Sequence, residues 1–295
     1  MTPSLYIHIP FCKRKCLYCD FYSVVYDGAH AAEYVDTICA RIKELPERFE
    51  TIYIGGGTPT ALPATLLERL LKSLSRNISS STEFTVEANP ESFDREKARI
   101  LRDCGVNRLS IGIQSLDDKK LKKLGRIHDA RASADAVHIA AKEGFHNISG
   151  DLIFGVWGEE ASGLEKEIGE YTRLPLTHIS AYSLTYEKGT PLFEALRHKS
   201  IEPLEDTVVA GMYETVIEKL SLRGFKQYEI SNFAKEGFRC RHNLNYWDNG
   251  GYIGIGAAAV SYESGVRSKN VSDIVEYVDL YNACKSVIES SETLS

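Results

Sequence analysis

Runs of β-branched, aromatic and aliphatic residues bounded by glycine, proline or asparagine recur at Leu5–Pro10, Thr51–Gly57, Glu83–Asn89, Arg108–Ser115, Asn147–Gly155 and His178–Tyr186. Each reads as a buried strand. Between them the apolar positions change to a helical period, as in Leu62, Leu66, Leu67, Leu70, Leu71 and Leu74, and again in Ala132, Ala136, Ile139 and Ala140. Six strand-then-helix units in series predict a parallel sheet with right-handed crossovers, closed as a barrel or three-quarter barrel.

That order fixes where a ligand should sit, because such folds bind at the carboxyl ends of their strands. A cysteine-rich loop follows the first predicted strand and Gly55-Gly56-Gly57-Thr58-Pro59-Thr60 follows the second. Glu87 lies near the end of the third, Gln114 ends the fourth, and Asp151 lies within the fifth. All of these polar candidates therefore fall on one face.

After Lys188 the rhythm changes. A helical stretch is predicted over Leu204–Leu222, followed by Gln227–Phe233, Arg241–Trp247, a hairpin over Ala257–Arg267 and an amphipathic helix over Asp273–Ile288. This part reads as an extension packed on the barrel, and the last residues, Glu292–Ser295, carry no recognisable closing element.

The loop after the first strand carries Cys12, Cys16 and Cys19. Three thiolates so placed can hold three irons of a cubane [4Fe–4S] cluster and leave the fourth without a protein ligand. A structural zinc site would want four closed ligands, and no Cys or Cys/His knuckle downstream completes one. Seven cysteines, an odd number, with no secretory leader also argue against a disulfide framework. Cys39, Cys104, Cys240 and Cys284 are scattered and read as small apolar residues, Cys240 the least plainly so because it borders Arg241–Trp247.

A formal charge of −6 argues against a nucleic-acid surface. No apolar run reaches the length of a membrane span, so a cytoplasmic protein is expected. Two basic clusters stand out. Lys119, Lys120, Lys122 and Lys123 read as a solvated helix face, whereas Lys13, Arg14 and Lys15 either offset the charge of a thiolate-bound cluster or meet an acidic electron donor.

Gly55–Thr60 is not a Walker loop, since no Gly-Lys-Ser/Thr follows, and glycines after a strand often mean only a tight turn. Three in a row also let backbone groups approach a ligand. Taken with the cysteines, Tyr6-x-His8-Ile9-Pro10-Phe11-Cys12-x3-Cys16-x-Tyr18-Cys19 and Gly55–Thr60 resemble the radical S-adenosylmethionine (SAM) superfamily. Within it the chain is similar to the group containing the oxygen-independent coproporphyrinogen III dehydrogenase and the haem chaperones of the HemW type. The resemblance implies a partial (β/α)6 TIM-like barrel over residues 1–187 and a C-terminal α+β extension over 188–295, shorter than the family usually carries.

It also implies a site. The open iron would chelate the amino and carboxylate groups of SAM, and one electron would cleave the sulfonium to a 5′-deoxyadenosyl radical. Gly56, Gly57 and Thr58 would hold the methionine end, Arg126 a carboxylate, and Glu87, Gln114 and Asp151 the nucleoside, with Tyr6 and Tyr18 flanking the cluster. Each has a plainer alternative: Arg126 as a surface ion pair, Glu87 and Asp151 as helix caps, Tyr6 as core.

Two features separate the relatives. The dehydrogenase carries a further cysteine where this chain has Phe21, and Asp20-Phe21 matches the chaperones. His242-Asn243-Leu244-Asn245-Tyr246-Trp247 resembles a chaperone motif associated with haem. On that resemblance His242, Asn243, Tyr246 and Trp247 are expected to bind haem. His242 would be an axial ligand or merely a hydrogen-bonded loop histidine, and Cys240 an alternative thiolate. Val156-Trp157 replaces the family's usual Leu-Pro, which predicts an altered loop.

The function implied is a haem chaperone that binds a [4Fe–4S] cluster, SAM and haem as cargo. Its partners would be haem-accepting apoproteins and an electron donor such as flavodoxin or ferredoxin. The alternative is radical oxidative decarboxylation of coproporphyrinogen III. No catalytic residue is assigned.

Overall fold

The computed structural model describes residues 4–294. Six parallel strands stand side by side in chain order: β1 (Ser4–Ile9), β2 (Thr51–Gly56), β3 (Glu83–Ala88), β4 (Arg108–Gln114), β5 (Asn147–Phe154) and β6 (His178–Ser183). Helices α1 (Gly28–Lys43), α2 (Ala64–Ser73), α3 (Arg95–Asp103), α4 (Asp118–Lys123), α5 (Ala130–Lys142) and α6 (Ala161–Tyr171) intervene. This is the α/β partial barrel expected from the periodicity, with strand ends within a few residues of those predicted.

The helices start where the sequence offers an acceptor. Asp27 accepts from Ala29 N and His30 N at the head of α1, Asp94 from Lys97 N at α3, and Asp129 from Ala132 N at α5. The apolar face of α2, with Leu67, Leu70 and Leu71 buried, joins the core formed by Leu5, Ile7, Ile52, Ile54 and Phe84. Burying each such side chain contributes about 1.5–3 kcal/mol.

Apart from two-residue strands and short 3-10 turns, the remaining elements are α7 (Pro191–Arg197), α8 (Asp206–Ser221), β7 (Asn232–Ala234), α9 (Arg241–Trp247), β8 (Tyr252–Ile255), β9 (Val260–Glu263), β10 (Val266–Asn270), α10 (Ile274–Asn282) and β11 (Ile288–Thr293). Their strands extend both edges of the same sheet. β7 pairs antiparallel with β6, whereas β8 pairs parallel with β1 and leads into the antiparallel run β9, β10, β11.

Two expectations need correction. The helix predicted over Asp273–Ile288 ends at Asn282, because Cys284 turns into the left-handed region (φ 54°) and the chain then pairs along β10 as β11. The lysines of α4 form a solvated face only at Lys119 and Lys122. Lys120 is buried between Glu159 (2.6 Å) and Glu167 (2.8 Å), and Lys123 donates to Trp157 O at 2.6 Å with its ammonium over the indole ring. The reason is that α4 docks on the loop after β5 and on α6, so Val156-Trp157 is held by these contacts.

Candidate functional site

A cavity of about 500 Å³ opens at the carboxyl ends of the parallel strands, a size ordinary for small-molecule sites. Its wall includes Cys12, Cys16 and Cys19, together with Tyr18, Gly56, Gly57, Thr58, Glu87, Gln114, Arg126 and Asp151. Tyr6 is not part of that wall. It lies lower on β1, with its hydroxyl 3.0 Å from His8 Nδ1.

Backbone contacts explain the local order. Gly57 N donates to Ile9 O (2.9 Å) and Thr58 N to Phe11 O (2.8 Å), which ties the glycine run to the start of the cysteine loop. A Cβ on Gly57 would lie 2.7 Å from Pro10 C and 2.9 Å from Phe11 N, and Gly56 has φ +108° with its open side filled by the His8 ring. These glycines are therefore required by the chain's own packing as well as facing the cavity.

Arg126 is no surface residue. Its side chain is buried, with Nη1 donating to Cys16 Sγ (3.2 Å) and Nη2 to Asn89 Oδ1 (2.7 Å) and Gly112 O (2.9 Å). Asn89 Nδ2 in turn donates to Thr58 Oγ1 (2.7 Å), which is 3.5 Å from Cys12 Sγ. Asn89 thus joins two cysteine contacts, and sequence reasoning passed over it although it sits directly after β3. Gln114 is aimed by an irregularity: the β4–β5 register shifts between Ile111 and Gln114, and Gln114 takes φ +64°.

Burial pushes the Cys12 thiol up against the pull of Thr58, and pushes Cys19 up to about 11. Burial also works against the charge of Arg126, but Tyr18, Cys16 and Glu91 more than restore it. Enclosure by the barrel raises Glu87 to about 7, with the Tyr53 hydrogen bond (2.8 Å) pulling back. Asp151 is raised to about 6 for the same reason, against hydrogen bonds from Ser180 and Ser110.

A carboxylate with a raised folded-state pKa contributes stability at low pH that is lost as pH rises through the folded value. Glu87→Gln should therefore gain stability relative to wild type between pH 5 and 8, on the order of 1–3 kcal/mol. Urea unfolding of both proteins at the two pH values measures it, and parallel curves would contradict it.

The donor set fits a cluster. Among the described residues no three or more His, Cys, Asp or Glu side chains gather around a single metal-ion position. The three thiols instead share one cavity wall with a fixed guanidinium beside Cys16, and soft thiolates suit an iron–sulfur cluster bound through separate irons.

The expected haem residues lie elsewhere. Helix α9 sits at the opposite, amino ends of the strands. His242 Nδ1 is 2.7 Å from Thr51 Oγ1, its Nε2 is 2.9 Å from Tyr246 OH, and its backbone N donates to Glu83 Oε1 at 3.1 Å. With both ring nitrogens engaged and the ring buried, His242 takes the hydrogen-bonded of its two expected roles and does not present an axial ligand in this conformation. Burial and the nearby Arg108 charge lower it to about 3, so the imidazole is neutral. Cys240 is buried too, its Sγ 3.5 Å from Glu83 Oε1. Asn243 is half-buried, while Tyr246 and Trp247 are exposed, Trp247 by 53%.

Residues 6–168 match the family described as the Radical SAM superfamily. With its strand-end cysteine cavity, the chain belongs to that superfamily. Two relatives bear the name "Heme chaperone HemW". That of Lactococcus lactis is 38% identical over 93% of this chain and 73% of its own length, and that of Bacillus subtilis 40% identical over 94% and 75%. Within the superfamily the chain thus belongs to the HemW family, and it spans about three quarters of those relatives. The coproporphyrinogen III oxidase (HemN) of Escherichia coli, titled a radical SAM enzyme, matches all of this chain and 72% of its own with a TM-score of 0.85 and 21% identity, a likeness of fold. No described helix is long and apolar enough to cross a membrane.

Proposed function

We propose that this chain is a haem chaperone that binds one [4Fe–4S] cluster, SAM and haem, and passes haem to acceptor apoproteins. The observation that carries the reading is the meeting of Cys12, Cys16, Cys19 and Arg126 in one cavity of a chain whose relatives at 38–40% identity are named haem chaperones. Phe21, 66% exposed at the cavity wall where the decarboxylating enzymes have a cysteine, favours carriage over coproporphyrinogen chemistry.

Cys12, Cys16 and Cys19 would hold three irons. When bound, such a cluster supplies one-electron chemistry and an iron open to SAM. Gly56, Gly57 and Thr58 offer backbone groups to the methionine end, and Arg126 a cation to its carboxylate. Glu87 and Asp151, titrating near neutrality, can donate or accept hydrogen bonds at the nucleoside beside Gln114. Arg14 and Lys15 at the cavity wall suit the approach of an acidic electron donor such as flavodoxin or ferredoxin. Haem would lie against the exposed Tyr246 and Trp247 rings. His242 can reach iron only after breaking its bonds to Thr51 and Tyr246. The compartment proposed is the cytoplasm.

Anaerobic reconstitution followed by haem titration, with and without SAM, tests the reading. Saturable haem binding, weakened about tenfold in Trp247→Ala by loss of an aromatic contact, is expected. Absence of saturable binding to the reconstituted wild type overturns it, and formation of protoporphyrinogen assigns the chain to oxidative decarboxylation instead.

A further inference from the structure

Helix α9 and the cavity lie at opposite ends of the parallel strands, yet one side chain links α9 to a residue of the cavity wall. Tyr53 projects into the barrel from the middle of β2. Its hydroxyl donates to Glu87 Oε1 (2.8 Å), and its ring stacks on the His242 imidazole with centroids 5.1 Å apart and planes 29° from parallel. Glu87 is itself a wall of the cavity, and its other oxygen accepts only the long bond from Gly56 N (3.2 Å).

We propose that Tyr53 is a positioning residue for Glu87, and that α9, through His242, is the brace that fixes Tyr53. The inference rests on the reading that Glu87 contacts the nucleoside of SAM, and it assigns to the far end of the barrel a share of the affinity for that cofactor. Three observations carry it.

First, Glu87 has two fixed donors, so losing the phenol leaves one weak backbone bond to hold a carboxyl group on a flexible stem. Second, the ring of Tyr53 has an aromatic neighbour beside it on β1, Tyr6 at 6.2 Å, and His242 on the side of α9, so its rotamer is set by α9 as much as by β2. Third, His242 cannot rotate freely, because Thr51 and Tyr246 hold its two nitrogens and Tyr246 in turn stands edge-on to Tyr252 at 4.6 Å. Aromatic contacts and hydrogen bonds thus run without a gap from the surface of α9 to the cavity wall. Coupling of this kind is reciprocal: whatever draws His242 from its place weakens SAM binding, and bound SAM holds His242 in place.

Two measurements test it. In anaerobically reconstituted protein, equilibrium dialysis with labelled SAM should show binding about 10- to 150-fold weaker in Tyr53→Phe, the range for one hydrogen bond to a charged group. Tyr246→Phe, which removes only the hydroxyl that holds His242, should weaken SAM by a smaller factor in wild type and by nothing further in Tyr53→Phe, since coupled residues are not additive.

The second readout needs no cofactor. In cluster-free protein labelled with 13C at glutamate carboxyl groups, the resonance missing from Glu87→Gln should titrate at higher pH in Tyr53→Phe, and in the same direction in Tyr246→Phe. An unmoved titration in Tyr53→Phe overturns the positioning role, and one unmoved in Tyr246→Phe overturns the brace. Failure of wild type to bind SAM while both titrations move would remove the cofactor reading and leave the brace standing.

Discussion

Lys120→Met is expected to lower the free energy of unfolding by about 3–5 kcal/mol, the usual consequence of removing one partner from a buried ion group. Lys120 is the single cation between two carboxylates, and all three side chains are less than a tenth exposed. Glu167 also accepts from Leu116 N (2.7 Å) and from the Ser115 hydroxyl, and Glu159 accepts from Val156 N (3.0 Å). The group therefore pins the loop after β4, the loop after β5 and helix α6 to one another. Urea denaturation measures the loss. A change below about 1 kcal/mol would place the group among weak surface pairs, and partial recovery in Lys120→Met with Glu159→Gln would show that the stranded charge is the cause.

Gly57→Ala should impair cluster assembly as well as stability. The added Cβ would face Pro10 C, Phe11 N and Phe11 O, all backbone atoms within 2.9 Å. None can swing aside as a side chain can, so the segment that begins the cysteine loop must move. A stability loss of about 1–3 kcal/mol follows from overpacking, and iron bound on reconstitution should fall well below half of wild type. Gly169→Ala is the control: nothing lies within 4 Å of its Cβ and it sits in α6, so it should gain about 0.5–1 kcal/mol. Normal iron content in Gly57→Ala would show that the loop tolerates the shift.

The parallel strands were legible because each is a short apolar run cut off by a turn residue, and strand order places their ends together. The cysteines, the glycine run, Glu87 and Asp151 could be gathered at one cavity for that reason, whereas Arg126 was expected there only from the family resemblance. Gln114 was expected there as the end of the fourth strand, although no hydrophobic period encodes the register shift that turns it, and Asn89, the link between Arg126 and Thr58, was passed over. The role of Tyr53 was hidden for another reason, since an aromatic residue in a strand reads as core. Which of its two expected roles His242 takes was not legible, because its partners Thr51 and Glu83 lie far away in sequence, and local pattern carries no information about such docking. Asp273–Ile288 failed at its end because pairing along a sheet edge prevailed over helical periodicity.

The arrangement of the sheet bears on how the protein is made. β1 has β2 on one side and β8 on the other, so Ser4–Ile9 complete their hydrogen bonds only with Tyr252–Ile255. A ribosome delivers that partner more than two hundred residues after β1, and contacts so distant in sequence close slowly. The strand that leads into Cys12, Cys16 and Cys19 thus keeps an open edge until Tyr252–Ile255 have emerged, and the cysteine loop reaches its final setting only after that pairing.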